Sequence, residues 1–188
     1  DNDVEITKVH IDEYLMQENL QEEIESALKE DRVEVFLQPI YSTCEKKFLS
    51  AEALVRIRKK DGNLLSPGVF IPVAEKSGSI VALGERVFAK VCQFISSGEL
   101  NHLGLHYIEV NLSVLQCEQK NLSNRLKTIM DQYKVSPNAL NLEITETATL
   151  NAKMNLLSNM GSLIDFGCSF SLDDFGKGES NLMYIVEM

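Results

Sequence analysis

Two spacings of apolar residues alternate along the chain and predict an alternation of strands and helices. Runs with an apolar residue at every second position predict five strands: Val33–Ile40, Phe48–Ile57, His106–Asn111, Leu140–Thr145 and Cys168–Leu172. Apolar residues three or four positions apart predict the helices: Tyr14–Glu30, a short one opened by Ser66 and Pro67, Ile80–Ser97, Leu122–Tyr133, Asn151–Phe166 and Ser180–Met188.

The connections between these elements predict the fold class. Tyr41–Lys47 is too short to hold a crossover helix, so the first two strands, the first of them stopped by Pro39, pair antiparallel. The strand–helix alternation that follows predicts parallel pairing. Small polar residues on the inward faces suit the interior of a barrel. We therefore predict an α/β fold, a TIM-like (β/α) barrel with an antiparallel first strand, incomplete at about five of eight strands. The remainder is absent, or another chain supplies it.

Size and charge narrow the class of protein. The chain has 188 residues and a formal charge of −10, which argues against binding a nucleic-acid polymer through a basic surface. It contains no apolar run of the roughly 18 residues that a membrane-spanning helix needs. Four widely spaced cysteines predict reduced thiols and a cytoplasmic protein. Residues 1–19 read as an arm or the start of a linker helix, and residues 20–188 as one domain. The N-terminal helix either leads into this domain or links it to an upstream sensor, cyclase or membrane domain.

Four predicted strands carry an oxygen-bearing side chain near their C-terminal ends, where barrel proteins place their chemistry. These side chains belong to Glu52, which we expect to be buried among apolar neighbours, and to Asn111, Glu143 and Asp173. Oxygen ligands suit Mg²⁺ or Mn²⁺ rather than zinc. Asp174 is placed to bind a second ion that Asp173 shares, and two such ions activate water against a phosphodiester. The alternative for Asp174 is that it caps the helix after it.

The same residues resemble a known family. Glu52–Arg56 reads EALVR, the signature of EAL domains, the bacterial cyclic di-GMP phosphodiesterases. Five further motifs stand in the order that the family has: QPI at Gln38–Ile40, FIPVAE at Phe70–Glu75, VNLS at Val110–Ser113, EITE at Glu143–Glu146 and DDFG at Asp173–Gly176. The resemblance covers about residue 20 to the C-terminus.

The resemblance implies a two-metal site that holds Mg²⁺ or Mn²⁺. The ligands it implies for the first ion are Glu52, Asn111, Glu143 and Asp173, and Asp173 and Asp174 belong to the second. The residues that it implies are catalytic are Glu52, Asp173, Asp174 and Glu146.

The substrate contacts are also implied by the resemblance. Arg56 looks like a phosphate ligand, and its planar guanidinium suits a pair of phosphodiester oxygens. Gln38 and Leu54 resemble residues that contact the nucleotide. Glu146 resembles the carboxylate that holds the loop after Asp174 in its working shape.

The chain departs from the family at two places. The loop after the aspartate pair carries Lys177, Glu179 and Asn181 where the family usually has other residues. Lys177 either alters activity or is a harmless surface charge. The family also supplies a water-positioning lysine and a further metal-binding glutamate from later strands, beyond Met188. We therefore expect the 188-residue chain itself to be weakly active or inactive.

Two functions follow as hypotheses. The first is hydrolysis of cyclic di-GMP to linear pGpG by metal-activated water. The second is a degenerate EAL domain that binds cyclic di-GMP or a partner protein without turnover. Because the open edges of an incomplete barrel expose unpaired backbone, we also expect a homo-oligomer or an exchanged dimer.

Overall fold

The computed structural model describes residues 2–145 and 154–173. Its strands are β1 (Val33–Ser42), β2 (Lys47–Arg58), β3 (Leu64–Leu65), β4 (Tyr107–Asn111), β5 (Leu140–Thr145) and β6 (Ser169–Asp173). Its helices are α1 (Asn2–Lys29), α2 (Pro67–Ser77), α3 (Ile80–Ser96), α4 (Glu99–His102), α5 (Val114–Cys117), α6 (Leu122–Tyr133) and α7 (Met154–Phe166), with a 3₁₀ turn at Pro137–Ala139. The predicted helix Ser180–Met188 lies outside the described residues.

The sheet has the strand order β1-β2-β4-β5-β6, and the two-residue strand β3 pairs with β2. The β1–β2 pair is antiparallel, as the short connection predicts. The pairs β2–β4, β4–β5 and β5–β6 are all parallel, with helices in each crossover. Within the described residues the barrel does not close, so β1 and β6 are the edges of the sheet. The predicted fold class is confirmed.

The end predicted for the first strand is wrong. Pro39 does not stop β1, since it pairs with Ala51 and the strand runs on to Ser42. The reason is the position of β1 at the edge of the sheet, where alternate backbone N–H groups need no partner strand and proline is tolerated. The register slips just beyond, between Ile40 and Tyr41.

The core lies between the sheet and its helices. One face of the strands is apolar and buried there; its members are Ala51, Ala53, Ile57, Ile108, Val110, Leu140, Leu142 and Ile144. The helices contribute the other half of the core, including Leu83, Phe88 and Val91 of α3, Leu126 and Met130 of α6, and Leu156 and Leu163 of α7. Each buried side chain of this size contributes about 1.5–3 kcal/mol.

Helix α1 is longer than the predicted segment, which began at Tyr14. No glycine or proline interrupts residues 2–29, so the helix continues beyond its clearly amphipathic part. Ile24 and Ala27 are fully buried, which fixes the C-terminal half of α1 in the core. The boundary predicted at residue 19 falls inside this continuous helix and stays a prediction.

Arg32 fastens the end of α1 to the end of β2. Its guanidinium donates hydrogen bonds to Glu23 Oε1 and to the Arg58 carbonyl, both at 2.6 Å, and to Ser26 Oγ at 2.7 Å. A further bond of 2.8 Å reaches Glu30. Since Arg58 ends β2, the helix is attached directly to the strand that carries Glu52 and Arg56.

Candidate metal site on the polar face of the sheet

The strand register brings the side chains of Glu52, Asn111 and Glu143 onto one face of the sheet, opposite the helices. One row of paired residues crosses all five long strands: Gln38, Glu52, Glu109, Asn141 and Ser169. The next row up includes Asn111, Glu143 and Ser171. A third pairs Thr145 with Asp173. From β2 to β6, the candidate residues therefore shift by one row at a time toward the C-terminal ends of the strands. In a barrel the strands are tilted and staggered, so residues in successive rows can lie at the same height along the barrel axis.

Glu52 and Asn111 meet directly. The Asn111 side-chain amide donates a hydrogen bond of 2.7 Å to Glu52 Oε1, although the two residues are 59 positions apart in the chain. Asn111 is exposed and Glu52 is half-buried. The prediction that Glu52 is buried among apolar neighbours is therefore wrong. Its neighbours Ala51 and Ala53 are buried, but alternation along the strand turns them to the opposite face.

Glu143 lies beside Asn111 as its register partner on β5. The backbone N–H of Leu112 donates to the Glu143 carbonyl at 2.8 Å, which continues the pairing of the two strands past the end of β4. Leu112 is buried in the core, which fixes the backbone that follows Asn111. Glu143 itself is half-buried.

The remaining predicted acidic residues are only partly placed. Asp173 is the last residue of β6, one row above Glu143, and its side chain lies outside the description. Asp174 and Glu146 lie outside the described residues altogether, as do Lys177 and Glu179.

The predicted substrate contacts share the polar face. Gln38 is exposed and stands opposite Glu52, and Leu54 pairs with Phe36. Arg56 is half-buried; its guanidinium donates to the Val55 carbonyl at 2.8 Å and lies 6.0 Å from the centre of the Phe36 ring.

A cavity of about 260 Å³ opens beside these residues, between the upper ends of the strands and helices α2 and α3. Arg56, Asn111 and Glu143 line one side, and Ile71 and Leu83 supply part of an apolar wall. Pockets for complete small ligands usually measure about 300–1,000 Å³. This cavity is therefore smaller than a pocket that encloses a complete small ligand.

Glu109 is a carboxylate that the sequence reasoning missed. It pairs with Glu52 in the register and is half-buried. Burial, and secondarily the negative charge of Glu52, raises the pKa of its carboxyl group. The sequence does indicate Glu109, because it stands two positions before Asn111 and so lies on the same face of the strand. It was missed because it does not lie at the C-terminal end of the strand, where the candidates were sought.

The donors present fit a hard divalent cation. Glu52, Asn111 and Glu143 offer carboxylate and amide oxygens, which are ligands for Mg²⁺ or Mn²⁺. In the parts of the chain given by residues 2–145 and 154–173, no three acidic, histidine or cysteine side chains lie close enough together to hold a metal ion. Among the described side chains, the candidate donors are therefore two carboxylates, those of Glu52 and Glu143, and the amide of Asn111.

Comparison with known proteins identifies one family. The family model described as "EAL domain" matches residues 21–188. Signaling protein YkoW of Bacillus subtilis is 32% identical over 164 residues, which cover 87% of this chain and 20% of the relative. Cyclic di-GMP phosphodiesterase NbdA of Pseudomonas aeruginosa is 31% identical, with coverages of 88% and 21%.

Solved structures agree with this comparison. The structure titled "PaMucR Phosphodiesterase, c-di-GMP complex" superposes with a TM-score of 0.81 at 30% identity, covering 89% of this chain and 68% of that one. The chain spans about a fifth to a quarter of the length of the curated relatives that it matches first. Across the described ranges, no helix is long and apolar enough to cross a membrane.

Proposed function

Because the chain belongs to the EAL domain family, we propose that it binds cyclic di-GMP and hydrolyses it to linear pGpG with Mg²⁺ or Mn²⁺. The observation that carries the proposal is the 2.7 Å contact between Glu52 and Asn111, with Glu143 in register beside them. Side chains from three strands thus reach one region of the rim. Relatives named as cyclic di-GMP phosphodiesterases support the choice of substrate.

The acidic and amide side chains have the metal-holding role in this proposal. Glu52, Asn111 and Glu143 hold the first ion together with Asp173, and Asp173 and Asp174 hold the second. When bound, the ions supply Lewis-acid activation of water and neutralise charge on the phosphodiester. Glu146 keeps the loop after Asp174 in place. The chain carries a net charge of −10, so an anionic substrate also needs these cations between itself and the carboxylates.

Arg56 has the second role, which is to orient the substrate. Arg56 lines the cavity together with Asn111 and Glu143, and on substrate binding its guanidinium would hold two phosphodiester oxygens in a bidentate contact. Leu54 and the apolar wall of the cavity receive an aromatic base. Gln38, exposed opposite Glu52, is placed for the part of the nucleotide that lies over the open face.

Product analysis by chromatography tests the reaction. With Mn²⁺, the chain is expected to convert cyclic di-GMP to pGpG, at a low rate. Glu52→Gln should lower this rate by at least about 100-fold, because loss of outer partners of a metal ligand alone costs 10- to 100-fold. Arg86→Ala is the matched control: Arg86 lies on α3 and pairs with Asp31, in the turn between α1 and β1, so its loss should leave the rate unchanged. No pGpG at any pH tested would remove catalysis by this chain from the account.

A receptor without turnover is the second candidate. The substitutions Lys177 and Glu179 in the loop after the aspartate pair favour it. Calorimetry that finds micromolar binding of cyclic di-GMP, with no product in the chromatographic assay, would select this function. Product formation would rule it out.

We also propose a cytoplasmic location and self-association. All four cysteines are free, and three of them are buried, which fits a reducing compartment. The strands β1 and β6 present open edges within the described sheet, and β1 leaves Phe36 and Tyr41 43% and 51% exposed. Such edges favour pairing with another copy. Light scattering after size-exclusion chromatography should detect a dimer or larger species, and a monomer at high concentration would contradict this.

A further inference from the structure

Side chains of helices α2 and α5 form hydrogen bonds to the turn that follows Asn111, and neither helix carries a candidate metal ligand. Ser113 stands two residues beyond Asn111 and is the N-cap of helix α5. Its hydroxyl donates a hydrogen bond of 2.6 Å to Glu75 Oε1, in the last turn of α2. A hydrogen bond between a hydroxyl and a carboxylate is short and stronger than one between neutral groups. Glu75 thus ties α2 to the turn across 38 residues of sequence.

Gln116 holds the same serine from the other side. Its side-chain oxygen accepts the backbone N–H of Ser113 at 3.1 Å, and its own backbone N–H donates to the Ser113 carbonyl at 3.0 Å. Gln116 is only 2% exposed. Its side-chain nitrogen has no hydrogen-bond partner among the described residues, so the amide of Gln116 is committed to Ser113 alone.

Gly84 on α3 makes room for this arrangement. A β-carbon at position 84 would lie 1.8 Å from the side-chain nitrogen of Gln116, well inside van der Waals contact. Only glycine allows α3 to approach the buried amide so closely. Ser113 is therefore held by the carboxylate of Glu75 on α2 and the amide of Gln116 on α5, and α3 packs against that amide at Gly84.

The backbone between Ser113 and Asn111 transmits this hold to the site. Leu112 is buried, and its N–H is bonded to the Glu143 carbonyl at 2.8 Å. With Ser113 fixed after it and β4 fixed before it, Asn111 has little freedom to move away from Glu52. This restriction keeps the Asn111 amide within hydrogen-bond distance of Glu52, at 2.7 Å.

We propose that Glu75 and Gln116 are positioning residues, which fix the Asn111 amide against Glu52 by holding Ser113. The consequence for metal binding rests on the proposed function. The consequence for the position of the Asn111 side chain does not, because the hydrogen bonds that hold Ser113 join protein groups only.

The side-chain NH₂ resonances of Asn111 in the metal-free chain test the positioning directly. Ser113→Ala and Glu75→Ala should shift or broaden these resonances, whereas Glu75→Gln, whose amide oxygen still accepts the hydroxyl, should largely restore them. Ser79→Ala is the matched control, because the hydroxyl of Ser79 bonds only that of Ser77 near the exposed end of α2. Ser113→Ala removes a single oxygen, so it tests the inference even if Glu75→Ala does not fold.

A second readout is the affinity for Mn²⁺, measured by calorimetry. Ser113→Ala and Glu75→Ala should weaken it by about 10- to 100-fold, the usual effect of losing a partner that orients a ligand. Wherever turnover is measurable, kcat should fall while KM for the nucleotide changes little. A loss of thermal stability with unchanged Asn111 resonances and unchanged Mn²⁺ affinity would overturn the inference. If the resonances move but no pGpG is ever formed, the positioning stands and the proposed function fails.

Discussion

The two faces of one sheet differ in almost every physical property. The face toward the helices holds side chains such as Leu142 and Ile144, which are 0% and 1% exposed. The opposite face holds Glu143, half-buried, and Asn111, which is exposed. Leu142 and Glu143 are neighbours in the chain, and only the alternation of a strand separates them. Stability and chemistry are thereby assigned to different faces, so each can be changed with little effect on the other.

Paired substitutions at adjacent positions should show the largest difference. Leu142→Ala removes buried contacts and leaves a cavity, so the free energy of unfolding should fall by about 2–5 kcal/mol. Glu143→Ala should change it by less than about 1 kcal/mol while removing Mn²⁺ binding. Urea denaturation with calorimetry on both variants checks this. Equal losses of stability would mean that the faces are not separated.

Arg56 tests the polar face alone. Arg56→Ala should weaken binding of cyclic di-GMP by roughly tenfold or more, equivalent to at least about 1.4 kcal/mol. Its effect on unfolding should be small, because among the described residues the guanidinium contacts only the neighbouring Val55 carbonyl and the Phe36 ring. Calorimetric titration with the nucleotide measures the loss. An unchanged affinity would exclude Arg56 from the substrate contacts.

Glu109 makes the polar face sensitive to pH. Its pKa is raised in the folded chain, above the ordinary value of 4.5, chiefly by burial and then by Glu52. The folded state therefore binds the proton of Glu109 more tightly than the unfolded state does. As pH rises from the unfolded pKa of this carboxyl group to its folded pKa, the free energy of unfolding falls. In the metal-free chain, Glu109→Gln should raise the melting temperature at pH 7, and the gain should shrink toward pH 4. A gain that is the same at both pH values would contradict this.

The reactivity of the cysteine thiols tests whether the apolar face is closed to solvent, and it is the smallest effect that we expect. Burial raises the pKa of Cys92 and Cys117 to about 12 and that of Cys168 to about 11, whereas Cys44 is exposed in the β1–β2 turn. At pH 8 a thiol reagent should modify one cysteine quickly and the other three only after unfolding. Rapid reaction of two or more thiols in the folded chain would show that the apolar face is open.

Much of the fold could be predicted because its causes are local. The period of two located all five long strands, and the short Tyr41–Lys47 connection was enough to set the β1–β2 pairing. Helices α4 and α5, each of four residues, are too short for an apolar period to show. Pro39 was misjudged because its effect depends on whether the strand lies at an edge, which the sequence does not state.

The site was predictable only in part, because its geometry depends on pairs far apart in sequence. Strand parity and the family motifs brought out Glu52, Asn111 and Glu143, and the structure does bring these side chains to one face. The neighbourhood of Glu52 and Glu109, and the bond from Ser113 to Glu75, arise from strand register and helix packing. No spacing along the chain encodes such contacts.

Anomalous diffraction from crystals of the chain grown with Mn²⁺ tests the central claim most directly. The account predicts a strong peak at the rim of the polar face, within coordination distance of the side-chain oxygens of Glu52, Asn111 and Glu143. Weakening of that peak in Glu52→Gln crystals would agree with the assignment. A peak elsewhere, or three side chains that surround no common ion at saturating Mn²⁺, would contradict it.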